Sequence, residues 1–394
     1  MRRALEAVIF GTVEIDWPGS GPRSQTIVFE SHHADSTQRN SSLTGSGPAP
    51  RDWAAPEIAL PRAGDLDVVA AMLISLAEEI GLPCGLRYSR LIADRATTDP
   101  LGAWRHRRID AFALTGRVRL ANGRFMPVGW SSHGDGLERL GSAPARDHLT
   151  WISRCAGAAS PMPGGRVAVV LASQPAALLA HEAIGHFAEA AADPQVDLSH
   201  RLGCRLAPDG FDISDDPACL GAARYEFDDE GVASVEPTPI VVDGVLVNQL
   251  HNLSSAERGK CFPTANARCA QIGLPPIPRM SNLLVPPDSK TFDELVDELG
   301  EGIIIHHLSH GFSRGLEVEA RIVLAEEVAG GRATGRFLSG GRMADRIDVL
   351  TRCVGRSDQA ELNPSGLCGK AGQILYDVGT IAPAMRLSEL RILA

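Results

Sequence analysis

The sequence predicts an α+β fold, in which an N-terminal α/β region precedes a C-terminal domain of mostly antiparallel sheet that carries one strongly apolar helix. Two observations support this. Strand and turn signals dominate the second half of the chain, and strands do not alternate strictly with helices as they do in a doubly wound sheet. Because 394 residues fit two domains, we place the N-terminal region at residues 1–160 and the C-terminal domain at residues 161–394.

Both element types are predicted in the N-terminal region. Apolar runs bounded by turn residues predict strands within residues 5–30 and 85–130. Apolar residues at helical spacing predict helices over residues 65–80 and 135–156. Residues 31–56 are rich in Ser, Gly and Pro and show no periodicity, so we expect a loop there.

The C-terminal domain is predicted to consist of short strands joined by glycine-containing turns. Strands are expected within residues 166–171, 240–248, 320–326 and 335–338. Two helices are expected, an almost entirely apolar one over residues 174–190 and an amphipathic one over residues 291–299.

Composition excludes several classes of protein. The formal charge is −10, whereas a protein that binds nucleic acid normally presents a basic face. No segment approaches the roughly 18 consecutive apolar residues of a membrane span, and the N-terminus lacks the pattern of a signal peptide. Eight scattered cysteines without a CxxC pair are typical of free thiols in a reducing compartment. We therefore expect a cytoplasmic protein with neither nucleic acid nor membrane as a partner.

The predicted apolar helix contains the candidate functional residues, since His181 and His186 flank Glu182 there. Neutral imidazole is a common ligand of Zn²⁺ and similar metals, and a glutamate beside the first histidine can serve as the base for a water molecule. The familiar zinc-protease motif is HExxH, whereas the spacing here is HExxxH. The alternative is a buried helix whose histidines bond to backbone carbonyls.

The longer spacing has a structural consequence. At about 100° per residue, two residues five apart are separated by roughly 140° around a regular α-helix, so their rings would diverge. A local π-type widening would bring them together, and such bulges concentrate at functional sites. Gly185 weakens the helix where the distortion is needed. Alternatively, the helix ends near Gly185.

Further motifs connect this helix with a known family. The segment HEAIGHFAEA is followed by DDEG at residues 228–231, PRMSN at 278–282 and GLCGKAGQ at 366–373. Their order and approximate spacing from about residue 161 onward resemble the TldD/PmbA family, described historically as modulators of DNA gyrase. The resemblance implies the metal-bearing, TldD-type metalloprotease subunit, whereas the acidic composition argues against an action on DNA.

The resemblance also implies a set of site residues. In TldD-type subunits two histidines and a later cysteine hold the metal, which places His181, His186 and Cys368 as ligands and Glu182 as the base. A His₂Cys set leaves a fourth coordination position open, as catalytic sites require. One divalent ion is expected, with Zn²⁺ as the default and Fe²⁺ as the alternative. Cys368 by itself would otherwise be interpreted as a small buried hydrophobic residue.

Three functions follow from this resemblance. The first is a metal-dependent peptidase that hydrolyses unfolded or small peptides, bound in extended form by strand addition, with Glu182 moving a proton from water to the leaving amine. The second is an amide hydrolase specialised for a peptidic metabolite. The third is a non-catalytic peptide-binding subunit, which the complete motif disfavours. Family members pair, so we expect a homodimer or a heterodimer with a homologue lacking the motif.

Several features lie outside these assignments. Residues 1–83 show little of the family's pattern, so its N-terminal region is expected to be shortened here. His306, His307 and His310 could form a second metal site, but substrate contact or packing is preferred because no nearby Cys or carboxylate completes a ligand set. Arg279 and Lys370 are expected to orient substrate or structure. Residues 228–230 predict a solvated turn.

Overall fold

A computed structural model of the chain describes residues 2–18, 24–38, 63–99, 101–121, 123–134, 142–190, 199–219, 221–364 and 367–394. Most strands belong to two sheets, one of five strands and one of twelve, which are accompanied by two two-stranded ribbons. Helices pack against the sheets, so the α+β prediction is confirmed. In the described part of the chain, no helix is both long and apolar enough to cross a membrane.

The five-stranded sheet is antiparallel throughout and has the order β2-β1-β3-β4-β5. Its strands are β1 (Arg2–Trp17), β2 (Ser24–Gln38), β3 (Cys84–Thr98), β4 (Trp104–Arg119) and β5 (Phe125–His133). Helices α1 (Ala63–Ile80) and α2 (Ala143–Ala158) cover one face. Leu73 and Leu76 of α1, Leu114 of β4 and Ile152 of α2 are buried in this core, which confirms the predicted apolar face of the first helix.

The loop and the second helix predicted for this region agree only in part with the structure, or lie partly outside the described residues. The loop expected over residues 31–56 is wrong for residues 31–38, which form the second half of β2 and pair with the start of β1. A polar sequence can adopt this conformation because β2 lies at the sheet edge, where polar residues are tolerated. Residues 39–56 lie outside the described residues, as do residues 135–141 of the second predicted helix, whose described part begins at Ala143.

The twelve-stranded sheet is mostly antiparallel, as predicted, with parallel pairs at β7/β14, β13/β21 and β6/β16. Its long strand β21 contacts four other strands. The strands of this part of the chain are β6 (Ser160–Pro161), β7 (Gly165–Leu171), β8 (Ile213–Asp215), β9 (Thr238–Val242), β10 (Val245–Leu246), β11 (Ala267–Arg268), β12 (Ile277–Pro278), β13 (Asn282–Leu284), β14 (Gly302–Arg314), β15 (Glu317–Ala329), β16 (Arg332–Ser339), β17 (Arg342–Arg346), β18 (Cys353–Pro364), β19 (Cys368–Lys370), β20 (Gln373–Leu375) and β21 (Gly379–Leu393).

Helix α3 is the most deeply buried helix segment of this half. It begins as an α-helix (Ser173–Ala180), passes through a π-helical turn (His181–Gly185) and ends with one more α turn (His186–Ala188). Helices α4 (Leu253–Gly259) and α5 (Phe292–Leu299) each start with a capping box, and short 3₁₀ segments occur at Ser199–Arg201 and Ile347–Arg352.

Buried ion pairs connect the five-stranded sheet with a turn in the second half of the chain. Arg95 of β3 and Arg107 of β4 both bind the carboxylate of Asp229, at 2.9 and 3.1 Å. The prediction of a solvated turn at residues 228–230 is correct for the turn and wrong for the solvation. Asp228, Asp229 and Glu230 are all buried, and burial is tolerated because their carboxylates accept backbone or arginine N–H groups. The domain boundary after residue 160 stays a prediction, and it falls within β6.

Candidate metal centre

The π-helical turn brings the two histidines of the HExxxH segment together. The backbone N–H of His186 donates to the carbonyl oxygen of His181, five residues earlier, which widens the helix by one residue. As a result the two rings lie 4.7 Å apart, centroid to centroid, and almost perpendicular at 87°. The predicted widening is confirmed, and the alternative in which the helix ends near Gly185 is wrong.

Gly185 has a different role from the one expected. Its φ of −56° and ψ of −57° are ordinary helical values that any residue adopts, so the widening does not use the freedom of glycine. A Cβ at this position would instead collide with the sulfur of Met280. Gly185 is required because the buried Met280 side chain passes directly against the backbone of the helix.

The third candidate ligand comes from a distant hairpin. Strands β19 and β20 pair antiparallel and place Cys368 over α3. The Cys368 Sγ atom lies 3.4 Å from His181 Nε2 and 3.6 Å from His186 Nε2. Among the described residues, these three side chains form the one group of at least three potential metal ligands within 4.8 Å of one another.

The spacing of these atoms fits a tetrahedral metal. Bonds of about 2.0–2.1 Å to nitrogen and about 2.3 Å to sulfur, at tetrahedral angles, would separate the sulfur from each nitrogen by about 3.6 Å. The observed separations of 3.4 and 3.6 Å agree with this. Cys368 and His181 are buried, and both imidazoles present Nε2 to the sulfur. The donor set therefore suits Zn²⁺ or a similar divalent ion.

Electrostatics favour the ligand forms of these groups. Burial opposes ionisation of the Cys368 thiol, but the adjacent His181 and His186 rings outweigh it and hold its pKa well below the usual value. A thiolate is the form of cysteine that binds metals. Cys368 is therefore expected to be a thiolate, and its sulfur lies close to the Nε2 atoms of both histidines.

Glu182 lies beside this group with an unused oxygen atom. It is only 5% exposed, and its Oε2 atom has no hydrogen-bond partner among the described residues. Burial raises the pKa of its carboxyl, and the neighbouring His181 and His186 act against this. Because buried polar atoms are almost always paired, this carboxylate oxygen is available to contact a water molecule or an ion at the candidate metal site.

A bulge in β14 fixes the other side of Glu182. The pairing of β14 with β15 shifts between Ser309 and Phe312, so that one extra residue is accommodated and His310 takes a φ of +50°. Gly311 then lies against Glu182: a Cβ there would be 2.7 Å from Glu182 Oε1. A bulge followed by glycine could have been suspected from the sequence, but its contact with Glu182 could not.

Glu189 is a second residue whose role the sequence did not reveal. Its carboxylate is fully buried and accepts from His186 Nδ1 at 3.0 Å and from Lys370 Nζ at 2.8 Å. Burial opposes its ionisation, but Lys370 and His186 lower its pKa well below the usual value. The available signal was an acidic residue three positions after His186, on the same helix face. Lys370, predicted to orient substrate or structure, contacts this carboxylate.

The candidate centre opens into a cavity of about 710 Å³ between the two sheets. His181, Glu182, His186 and Cys368 line one side, and Thr115 and Gly116 of β4 with Pro127 and Gly129 of β5 line the other. The cavity is therefore bounded by both halves of the chain. Strand β5 ends the five-stranded sheet and pairs, within the described ranges, with β4 alone.

The three later histidines do not form a second metal group in the described part of the chain. His307 and His310 line the cavity, in agreement with the expected substrate contact or packing. His306 lies 3.0 Å from Glu326 and packs edge-on against Trp151. A carboxylate does therefore approach one of these histidines, although it comes from the neighbouring strand β15.

Comparison with known sequences identifies similar proteins. The profile of the PmbA/TldA metallopeptidase C-terminal domain matches residues 164–393, more than half of the chain. A protein named Metalloprotease from Methanothermobacter thermautotrophicus is 33% identical over 246 residues, which are 59% of this chain and 52% of that protein. The Zinc metalloprotease TldD homolog of Saccharolobus solfataricus is 27% identical over 240 residues, 58% of this chain and 52% of that protein.

These alignments span about half the length of the curated relatives. The solved structure of TldE from Thermococcus kodakarensis resembles the whole fold, with a TM-score of 0.67 at 13% identity, covering 99% of this chain and 97% of that one. At this identity the likeness shows a shared architecture. The sequence matches and this structure together cover both halves of the chain.

Proposed function

Because this chain belongs to the TldD/PmbA family, we propose that it is a metal-dependent peptidase in which His181, His186 and Cys368 hold one divalent ion and Glu182 is the base. Zn²⁺ is the proposed ion, which the name of the Saccharolobus solfataricus relative and the His₂Cys donor set both favour. Fe²⁺ is the alternative that an analysis of metal content would distinguish.

One observation carries this proposal. The unpaired, buried Oε2 atom of Glu182 lies in the same cavity as three side chains whose spacing suits a tetrahedral ion. A purely structural glutamate would have a partner for this oxygen. A purely structural metal site would supply four protein ligands, whereas this group supplies three.

The roles of the protein groups follow from their positions. When bound, a divalent ion supplies Lewis acidity toward water and toward the scissile carbonyl. Glu182 accepts a proton from the attacking water through its free Oε2 atom and returns this proton to the leaving amine nitrogen. The lack of a side chain at Gly311 leaves room for this carboxylate, which is itself buried.

An edge strand that lines the cavity favours an extended peptide as substrate. Strand β5 contributes Pro127 and Gly129 to the cavity and, among the described strands, pairs with β4 alone. A peptide could add to such an edge by backbone hydrogen bonds, with little dependence on its side chains. We therefore propose unfolded or small peptides as substrates, and assembly of the chain in pairs as the family resemblance implies.

The metal is tested by elemental analysis of purified protein. We expect about one divalent ion per chain, as for a mononuclear site, and a loss of the ion in His181→Ala. His200→Ala is the matched control, because His200 is exposed and is not among the residues that line the cavity. Wild-type protein that binds no metal would overturn the proposal and favour the non-catalytic peptide-binding subunit.

The base is tested by Glu182→Gln in a digestion assay with an unstructured peptide. The variant should retain the ion and lose turnover, because an amide cannot accept the proton. Hydrolysis by a metal-loaded Gln variant, free of contaminating protease, would refute the role of Glu182. A specialised amide hydrolase would share this site, so a metal-loaded wild type that leaves generic peptides intact but cleaves a small peptidic metabolite would support that alternative.

A further inference from the structure

Glu189 is the point at which three separate segments meet. Its Oε2 atom accepts from His186 Nδ1 on its own helix and from Lys370 Nζ on β19. Its Oε1 atom accepts the backbone N–H of Met280 at 2.9 Å and lies 3.5 Å from Arg279 Nε. The carboxylate is wholly buried, so all its contacts are with protein groups.

The contact between Glu189 and His186 determines which nitrogen atom of the ring carries the proton. A histidine that donates its Nδ1 proton to a carboxylate is held as the tautomer whose Nε2 lone pair is free. Here Nε2 is the atom that faces Cys368 Sγ at 3.6 Å. His181 has no comparable support, since its Nδ1 atom has no partner among the described residues. Of the two ligand histidines, His186 is therefore the one whose ring is oriented by a carboxylate.

The Glu189 carboxylate is also linked to the strand that carries Cys368. Lys370 is two residues from Cys368 on the same short strand, and its ammonium binds Glu189. Arg279 approaches Glu189 and also donates from Nη2 to the carbonyl oxygen of Cys368 at 2.6 Å. The backbone that carries the sulfur is thus tied to the carboxylate by two cations.

From these contacts we propose that Glu189 is the positioning residue of the metal centre: it orients His186 and, through Lys370 and Arg279, holds Cys368 over the helix. The inference rests on the proposed metal site and deepens it. It explains why the helix, the segment at residues 278–282 and the hairpin at 368–375 converge, since each supplies a partner of this carboxylate.

The test is the Zn²⁺ affinity of Glu189→Gln, measured by competition with a chelator. Gln keeps the volume but loses the charge, and loss of such a support typically weakens metal binding about 10–100-fold. Glu326→Gln is the matched control, because Glu326 contacts His306 at the same 3.0 Å in a pair outside the metal centre. It should bind Zn²⁺ as the wild type does.

A second readout separates positioning from folding. Co²⁺ in the wild type should give the absorption of a four-coordinate thiolate site, and this signal should weaken or shift in Glu189→Gln while the far-ultraviolet circular dichroism is unchanged. If the single variant does not fold, Glu189→Gln/Lys370→Met removes one negative and one positive charge together. The double variant should bind weakly, whereas Lys370→Met alone should retain tighter binding through the Glu189–His186 contact.

The outcomes are distinguishable. Wild-type protein without Zn²⁺ affinity overturns the proposed function and this inference with it. Tight wild-type binding that is equally tight, with the same Co²⁺ spectrum, in the folded Glu189→Gln or double variant overturns the inference alone. An equal loss in Glu326→Gln would also overturn it, because the effect would then not be specific to the ligand histidine.

Discussion

The backbone N–H of His186 donates to the carbonyl oxygen of His181, and the π-helical turn that this bond closes brings both rings of the HExxxH segment toward Cys368. A regular helix would place the two side chains about 140° apart. The wider turn is enclosed by protein, because Met280 lies against it at Gly185 and Gly311 lies against it at Glu182. The geometry of the candidate centre therefore also depends on these two glycines, where a side chain would displace Met280 or Glu182.

Gly185→Ala should destabilise the fold. The new methyl group would collide with the buried sulfur of Met280, and overpacking of this kind typically costs about 1–3 kcal/mol. The free energy of unfolding in urea measures it. The cost should shrink in a Met280→Ala background, and Gly157→Ala in α2, whose Cβ would meet atoms only at 3.6–3.7 Å, is the control. An equal effect of both glycine substitutions would contradict the collision.

Gly311→Ala should reduce turnover without removing the metal. Its Cβ would lie 2.7 Å from Glu182 Oε1 and 3.0 Å from Glu182 Cγ, so the carboxylate must shift. A displacement of about 1 Å in a catalytic group can cost about 10²-fold in rate. Kinetics and metal content measured on one preparation test this. Gly157→Ala in α2, which does not line the cavity and whose Cβ would meet atoms only at 3.6–3.7 Å, should leave kcat close to wild type.

Asp229→Asn should destabilise the contact between the five-stranded sheet and the turn that carries Asp229. Arg95 and Arg107 are both buried against this carboxylate, and removing one partner of a buried ion pair typically costs about 3–5 kcal/mol. Glu14→Gln is the control, because Glu14 and Arg87 form a half-exposed pair, for which about 0–1 kcal/mol is expected. Similar losses of unfolding free energy in the two variants would show that the buried pair has no special weight.

Acid should destabilise the fold through His307. Its Nδ1 atom is buried without a partner in the described residues, and burial, reinforced by His148, lowers its pKa from 6.5 to about 3. Below pH 6.5 His307 is protonated in the unfolded chain, whereas in the folded chain it stays neutral until the pH falls to about 3. Stability therefore falls as the pH decreases through this window, by up to about 1.4 kcal/mol per pH unit for one proton.

The variant His307→Gln isolates this contribution. Its unfolding free energy, measured in urea between pH 4 and 6.5, should depend less steeply on pH than that of the wild type, by about one proton. His200→Gln, at an exposed position, should keep the wild-type slope. Identical slopes for wild type and His307→Gln would show that His307 is protonated equally in both states.

Local patterns predicted much of the fold. Helix α1, strand β7 and helix α5 occur where apolar periodicity and capping residues predicted them. The polar second half of β2 was missed, because its conformation is imposed by pairing with β1 and not by its own composition. The burial of the DDEG segment was missed for a related reason: its Asp229 carboxylate is stabilised by arginines that lie more than 100 residues away in the sequence.

The candidate site divides in the same way. The sequence by itself determined the HExxxH segment and, from its five-residue spacing, the need for a π turn, because helical geometry is local. Cys368 was assigned by family resemblance alone, and only the tertiary structure showed that its sulfur lies against two rings more than 180 residues away. Only that structure showed that Glu189 contacts both His186 and Lys370, and that Gly311 lies against Glu182. These relationships depend on how separate segments pack in space, which no local pattern records.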